Sequence, residues 1–257
     1  MPRVTGHKPD RPIWFDLMTS DAPGARAFYE KVLGWAYDIS GPEFSHYAMA
    51  RRGSDVCAGI GQIGAGDTYP PSWTVYFGVT SADATVEKII AAGGSVVAPP
   101  MDIGDFGRMA ICQDPTGAVF GLWQPMRHVG AGLLGEPGSM VWSEVNTRDA
   151  AAASAFYCEV FGLRSEIMEM QGTPYHMLYT AEGPACGVLQ MTPEWGEMPP
   201  HWMAYFGVEN AEAAKQTVID AGGSVPFGPI ESPYGHIIVV MDPQGAAVSM
   251  IQVKPMP

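Results

Sequence analysis

Tyr76-Phe77-Gly78-Val79 and Ala92-Gly93-Gly94-Ser95-Val96 return 129 residues later as Tyr205-Phe206-Gly207-Val208 and Ala221-Gly222-Gly223-Ser224-Val225. Working outward, Asp114-Pro115 with Gly117-Ala118 meets Asp242-Pro243 with Gly245-Ala246 at an offset of 128. On the other side, Phe28-Tyr29 meets Phe156-Tyr157, Gly34 meets Gly162, and Gly59-Ile60 meets Gly187-Val188, also at 128. Trp14 to Gln124 therefore lies over Trp142 to Gln252 almost without gaps, which reads as a tandem duplication. The expected organisation is a first domain at 1–126, a linker at 127–138 and a second domain at 139–257. Gly130-Ala131-Gly132 and Gly135-Glu136-Pro137-Gly138 give that linker a flexible composition.

Each half is itself doubled. Trp14 to Thr19 reads as a strand, and Asp21 can cap a helix with Ala25, Phe28, Tyr29, Val32 and Leu33 on one face. Gly34 stops it. A strand through His46-Tyr47-Ala48-Met49-Ala50, a turn at Arg51-Arg52-Gly53 and a return from Cys57 to Ile63 follow. The next quarter repeats that order. Trp73 to Val79 is a strand, and Ala84 to Ala92 a helix with Val86, Ile89 and Ile90 inward. Met109 to Gln113 and Ala118 to Trp123 make a hairpin about Asp114-Pro115-Thr116-Gly117, a type I turn signature. The fold class is α+β, with four β-α-β-β-β modules.

Composition narrows the function classes. The chain has 257 residues, 31 Gly and 23 Pro, 47% apolar and 16% charged residues. That describes a turn-rich globular protein, neither a coiled coil nor a charge-rich disordered chain. A net charge of −13 repels phosphate backbones, so no nucleic-acid partner is expected. No stretch has the roughly 18 apolar residues that span a bilayer, and residues 1–10 show no signal-peptide core. A cytoplasmic protein without a membrane partner is expected. The four cysteines form no Cys-x-x-Cys pair and read as buried free thiols.

The pattern resembles the vicinal oxygen chelate superfamily, which holds glyoxalase I, extradiol dioxygenases, fosfomycin-resistance enzymes and bleomycin-binding proteins. The residues that carry the resemblance are Asp21, the run Phe28 to Trp35, Phe77-Gly78-Val79, Ala92-Gly93-Gly94 and Asp114-Pro115-Thr116-Gly117, each recurring in the second half. The chain looks most like the two-domain, hydroxylase-like branch. The resemblance implies paired modules curled into half-barrel clefts, two per tandem chain.

It also implies a metal site, and here the sequence departs from the family. The two histidine positions fall at Trp14 and Thr74, with Trp142 and Met203 in the second half. The glutamate position falls at Gly121 and Ser249. None offers the imidazole or carboxylate that repays dehydration of a divalent ion, so no metal or other cofactor is expected. An improvised site from His46, His176 or His201 with Asp16 or Glu144 is the residual metal possibility.

Strand alternation assigns the cleft lining instead. It places Trp14, Asp16, Thr74, Tyr76, Gly121 and Trp123 in the first half, and Trp142, Glu144, Met203, Tyr205 and Ser249 in the second. Pairing Gln113 with Ala118 would set Arg108 opposite Trp123, and the same counting brings His236 to the second cleft. Gly121 and Ser249 are expected to open space, and the Pro-rich loops at Tyr69-Pro70-Pro71 and Pro193 to Pro200 to lie near a cleft mouth. Aromatic walls with a few polar groups describe a small-molecule pocket. The residues leave three functions open. The first is a metal-free binding protein of the bleomycin-resistance type, taking an aromatic or hydrophobic metabolite. The second is a metal-independent enzyme acting on such a metabolite through Asp16 or Glu144. The third is a metal-dependent lyase or dioxygenase with relocated ligands. A monomer or homodimer is expected, with one dominant ligand site per chain in the first half.

Overall fold

The computed structural model describes residues 6, 8–170 and 172–254; His7 and most of the N-terminal stretch discussed above lie outside the described residues. The first half runs β1 (Pro12–Thr19), α1 (Ala22–Leu33), β2 (Ala36–Ile39), β3 (Ala48–Arg52), β4 (Asp55–Gln62), β5 (Ser72–Gly78), α2 (Ala82–Ala91), β6 (Ser95–Ile103), β7 (Gly107–Gln113) and β8 (Val119–Pro125). The second runs β9 (Met140–Thr147), α3 (Ala150–Phe161), β10 (Arg164–Met170), β11 (Thr173–Thr180), β12 (Gly183–Gln190), β13 (His201–Gly207), α4 (Ala211–Asp220), β14 (Ser224–Ser232), β15 (Gly235–Met241) and β16 (Ala247–Val253). Each half is one open eight-stranded sheet. The first has the order β2-β3-β4-β1-β5-β8-β7-β6, and the second repeats it. The four β-α-β-β-β modules thus pair within a half, β1 against β5 and β9 against β13.

The same local device closes every module. A glutamine at the end of the module's last strand turns its side-chain carbonyl back to a backbone N–H at the start of the module's own helix. Gln62 accepts from Ala22, Gln124 from Ala82, Gln190 from Ala150 and Gln252 from Ala211, at 2.9 to 3.1 Å. Asp21 caps α1 by accepting from Gly24 N at 3.0 Å, satisfying another of the orphan donors of a helix start. Gly34 ends α1 with φ 68°.

Three local readings needed correction. β3 starts at Ala48, because Ser45 and His46 turn the chain with φ 51° and 56°. α2 begins at Ala82, since Ser81 supplies the cap, and its buried stripe is Ala82, Thr85, Val86 and Ile89, with Ile90 57% exposed. The linker is not loose. Ala131 N donates to Ile13 O at 2.8 Å, Gly132 N to Val56 O at 2.7 Å, and Trp35 Nε1 to Gly138 O at 2.7 Å.

The two halves share one continuous apolar core, formed by one face of each sheet and the inner stripes of all four helices. Phe77 of β5 stacks on Phe161 of α3 with centroids 4.3 Å apart, and Trp35 meets Phe206 at 5.2 Å. Two reciprocal polar triads cross between the halves. Trp202 Nε1 donates to Tyr157 Oη, which donates to Asp114 Oδ2 in the β7–β8 turn, both at 2.9 Å. Trp73, Tyr29 and Asp242 repeat this from the other side at 3.0 and 3.2 Å. Tyr157→Phe leaves the buried Trp202 N–H and one Asp114 oxygen unpaired, which typically costs about 1–3 kcal/mol. Chemical denaturation should show that loss, and an unchanged midpoint would contradict it.

Candidate functional site

The sheet face opposite the core carries the cleft. On β1, Phe15 and Leu17 point into the core while Trp14, Asp16 and Met18 line a cavity of about 1550 Å³. Thr74, Tyr76 and Trp123 join them from β5 and β8. Tyr69-Pro70-Pro71 borders the cavity, and so do Met198, Pro199 and Pro200 from the second half's corresponding loop. His201, Met203 and Ala247 extend the lining onto the second sheet. The first cleft is therefore walled partly by its neighbour.

At the inner end His128, from the linker, is wedged against two indoles. Its ring lies 4.3 Å from that of Trp14 and 5.5 Å from that of Trp123, and Trp123 Nε1 donates to the His128 carbonyl at 2.8 Å. Trp14 and Trp123 are consequently only 3% and 5% exposed. The linker strap forms part of the cavity wall.

A buried carboxyl group with two phenols occupies the middle of the face. Tyr47 and Tyr76 both donate to Asp16 Oδ2, at 3.2 and 3.3 Å, and Trp14 Nε1 donates to Tyr47 Oη at 3.2 Å. Asp16 Oδ1 has no hydrogen-bond partner. Asp16 is 7% exposed, and burial pushes its carboxyl up to about 7 despite the two phenol donors. The second half repeats the cluster with a longer acid. Tyr175 donates to Glu144 Oε2 at 2.8 Å, Tyr205 to Glu144 Oε1 at 2.6 Å, and Trp142 Nε1 to Tyr175 Oη at 2.8 Å. Burial raises the Glu144 carboxyl too, but both of its oxygens are bonded.

Glycines make room for these phenols. A Cβ at Gly59, the β4 partner of Asp16, would sit 1.7 Å from Tyr47 Oη, and one at Gly187 1.8 Å from Tyr175 Oη. Gly121 acts likewise for Tyr76: a Cβ there would meet the ring at 2.1 Å. The expectation that Gly121 opens cavity space is thereby corrected, because Tyr76 fills it. Ser249 lies in register with Tyr205 and is fully buried.

Of the assigned residues, Gly121, Trp142, Glu144, Tyr205 and Ser249 do not line this cavity, and Arg108 and His236 leave the cleft face altogether. Asp114 Oδ1 accepts from Thr116 N and Ala118 N, lengthening the hairpin turn by one residue, so Gln113 pairs with Val119. Met109 then opposes Trp123, and Arg108 turns to the other face, where it binds Asp83 and Asp102. By the same shift Ile237, not His236, opposes Ile251. The arginines bordering the cavity are Arg51, paired with Asp38, and Arg127, paired with Asp105 and lying 5.7 Å over the Phe106 ring. Tyr47, expected only as part of a strand, and Tyr175 were not among the expected site residues. They stand 128 residues apart like the other matched pairs, and that shared offset was the signal available.

A sequence profile of the Glyoxalase/Bleomycin resistance protein/Dioxygenase superfamily matches residues 11–122 and again 139–250. The chain belongs to this superfamily. It is 38% identical over 261 residues to a Mycobacterium tuberculosis protein named "Putative glyoxylase CFP32", covering 99% of both chains. It is 31% identical over 265 residues to "Anthracycline biosynthesis protein DnrV" of Streptomyces peucetius, covering 98% of this chain and 96% of that one. Among solved structures, the Mn(II)-bound glyoxalase from Novosphingobium aromaticivorans superposes with a TM-score of 0.64 at 14% identity, covering 95% of this chain and 82% of that one. The 2,2',3-trihydroxybiphenyl 1,2-dioxygenase of Sphingomonas wittichii gives 0.63 at 14%, covering 97% and 93%. These likenesses show the fold.

The superfamily raises the question of a divalent metal, and the donor set here does not suit one. Asp16 is the sole carboxylate of its cluster, and its Oδ2 already accepts from two phenols. Among the described residues no group of three or more His, Cys, Asp or Glu side chains could hold a metal ion. His176 faces Ser165, and His201 faces Asn146 and the Pro199 carbonyl, so neither assembles a site with Asp16 or Glu144. No helix among the described residues is long and apolar enough to cross a membrane.

Proposed function

We propose that the chain binds an extended aromatic small molecule in the first-half cleft without a metal, as a binding protein of the bleomycin-resistance type. The observation that carries this reading is the aromatic-walled cavity of about 1550 Å³ with a buried carboxyl on its wall. That volume exceeds the usual 300–1000 Å³ of drug-sized sites and suits a multi-ring ligand. The resemblance to a protein named for anthracycline biosynthesis supports the same chemistry, since anthracyclines are fused-ring aromatics. The Asp16 carboxyl supports a second reading, metal-independent proton transfer on such a ligand. A group with a pKa of about 7 can hold or release a proton at neutral pH.

Fluorescence titration of the full chain against a panel of polycyclic aromatics tests the first reading, because Trp14, Trp73 and Trp123 line the cavity. Saturable quenching with ligands recovered intact by mass spectrometry supports binding, whereas a changed mass supports proton-transfer chemistry. Absence of any saturable response removes both. Trp123→Ala strips apolar wall on the order of 1–3 kcal/mol and is expected to weaken binding by about tenfold. Affinity unchanged in that variant would move the site elsewhere.

A further inference from the structure

We infer that the first cleft is gated, and that the Phe44–Phe106 ring pair is its gate. The inference rests on the binding reading above and adds how a ligand enters and leaves the same cavity. The two halves supply the comparison. In the second half β10 and β11 run on as one ladder from Arg164↔Tyr179 to Met170↔Thr173, with only residues 171–172 between them. In the first half the matching hairpin parts after Ile39↔Ala48, and residues 40–47 fold as a turn instead. Its tip, Phe44, meets Phe106 of the β6–β7 turn edge-on, with ring centroids 5.4 Å apart. Both rings line the cavity. β2 and β6 are the two outer strands of the sheet, so this contact bridges its arms across the cleft. Tyr234, which matches Phe106 at the offset of 128, instead places its hydroxyl 3.9 Å from Met168 Sδ.

The two sides of the bridge are held differently. Phe106 is a fixed post: its carbonyl accepts from Met126 N at 3.1 Å and from His128 N at 3.0 Å, and Arg127 lies over its ring. The 40–47 turn closes on itself. Ser40 N donates to Tyr47 O, Phe44 N and His46 N to Gly41 O, Ser45 N to Pro42 O, and Tyr47 N to Phe44 O, at 2.9 to 3.2 Å. The Tyr47 hydroxyl pins the base of the turn to Asp16, so the part free to swing is the Phe44 tip, bent inward at Ser45 and His46. One edge-to-face ring contact is a weak tie, and the tip lifts without breaking a strand pair. The other sides of the cavity are stiffer. His128 is wedged against Trp14 and Trp123 at the inner end, and Pro70-Pro71 and Pro199-Pro200 fix the backbone of the loops towards the second half. A ring system therefore passes under the lifted Phe44, and the closed pair holds it in the cleft.

Stopped-flow tryptophan fluorescence on the intact chain tests this with 2-naphthol and the wider 9-anthracenemethanol. Phe44→Ala is expected to raise both the association and the dissociation rate of 9-anthracenemethanol by about fivefold or more, because a lid limits exchange in both directions. The affinity then changes less than either rate, and the narrower 2-naphthol is accelerated less. Phe44→Tyr keeps the ring and is expected to exchange at the native rates, whereas Phe106→Leu removes the same contact from the other side and is expected to behave as Phe44→Ala does. A ring that serves only as cleft wall gives a different pattern, since its loss speeds dissociation alone. Faster dissociation with unchanged association in Phe44→Ala and Phe106→Leu, or native rates in both, overturns the inference and leaves the binding reading standing. Saturable binding of neither probe to the native chain overturns both.

Discussion

Residues 1–126 produced alone are expected to aggregate or pair with a second copy rather than form a stable monomer. Phe77 would lose the Phe161 ring stacked on it and the Tyr157 and Trp202 rings beside it. Trp35 would lose Phe206, and its N–H would lose the Gly138 carbonyl. Asp114 would lose the Tyr157 hydroxyl. Each exposed large side chain forfeits about 1.5–3 kcal/mol of burial, while a whole domain is stable by only about 5–15 kcal/mol. A few such losses exhaust the margin. Light scattering on the purified half tests this, and a monomer with a cooperative thermal transition would contradict the shared core.

The second large effect concerns stability and pH. At pH 8, Asp16→Asn is expected to be more stable than the native chain. Burial lifts the Asp16 pKa in the folded protein to about 7, against about 3.9 for an unperturbed aspartate. Between those values the folded chain holds a proton that the unfolded chain has released, so the contribution of this group falls as pH rises through the window. Above it the penalty is on the order of 4 kcal/mol, and below about pH 4 it vanishes. Asparagine keeps an acceptor for Tyr47 and Tyr76 and carries no charge. Urea denaturation should show the variant's advantage at pH 8 closing towards pH 4. Parallel pH profiles for the two proteins would show that Asp16 is not a buried acid.

The fold was legible because duplication prints it twice. The Phe77-Gly78-Val79 and Asp114-Pro115-Thr116-Gly117 landmarks fix strand and turn positions, and alternation from them sorts Trp14, Asp16 and Tyr76 onto one face. Hairpin register was not legible. It depends on how Asp114 ties the β7–β8 turn, and one added turn residue moved Arg108 to the opposite face. Nor could alternation reveal that Tyr76 covers Gly121, because sequence gives a residue's side of the sheet but not how far its ring leans. Tyr47 precedes β3 in an irregular turn, where periodicity carries no information. The linker's glycines suggested slack, yet its backbone is held by Ile13 and Val56, contacts between segments far apart in sequence.

The chain is expected to hold one metal-free aromatic site, in the first-half cleft and walled partly by the second half. Calorimetric titration of chelator-treated full chain with 2-naphthol at pH 8 tests it most directly, repeated after adding Mn(II). One site per chain is predicted, abolished or strongly weakened in a variant carrying both Trp123→Ala and Asp16→Asn, and indifferent to the metal. Two equal sites per chain, or binding that appears only once Mn(II) is restored, would contradict it.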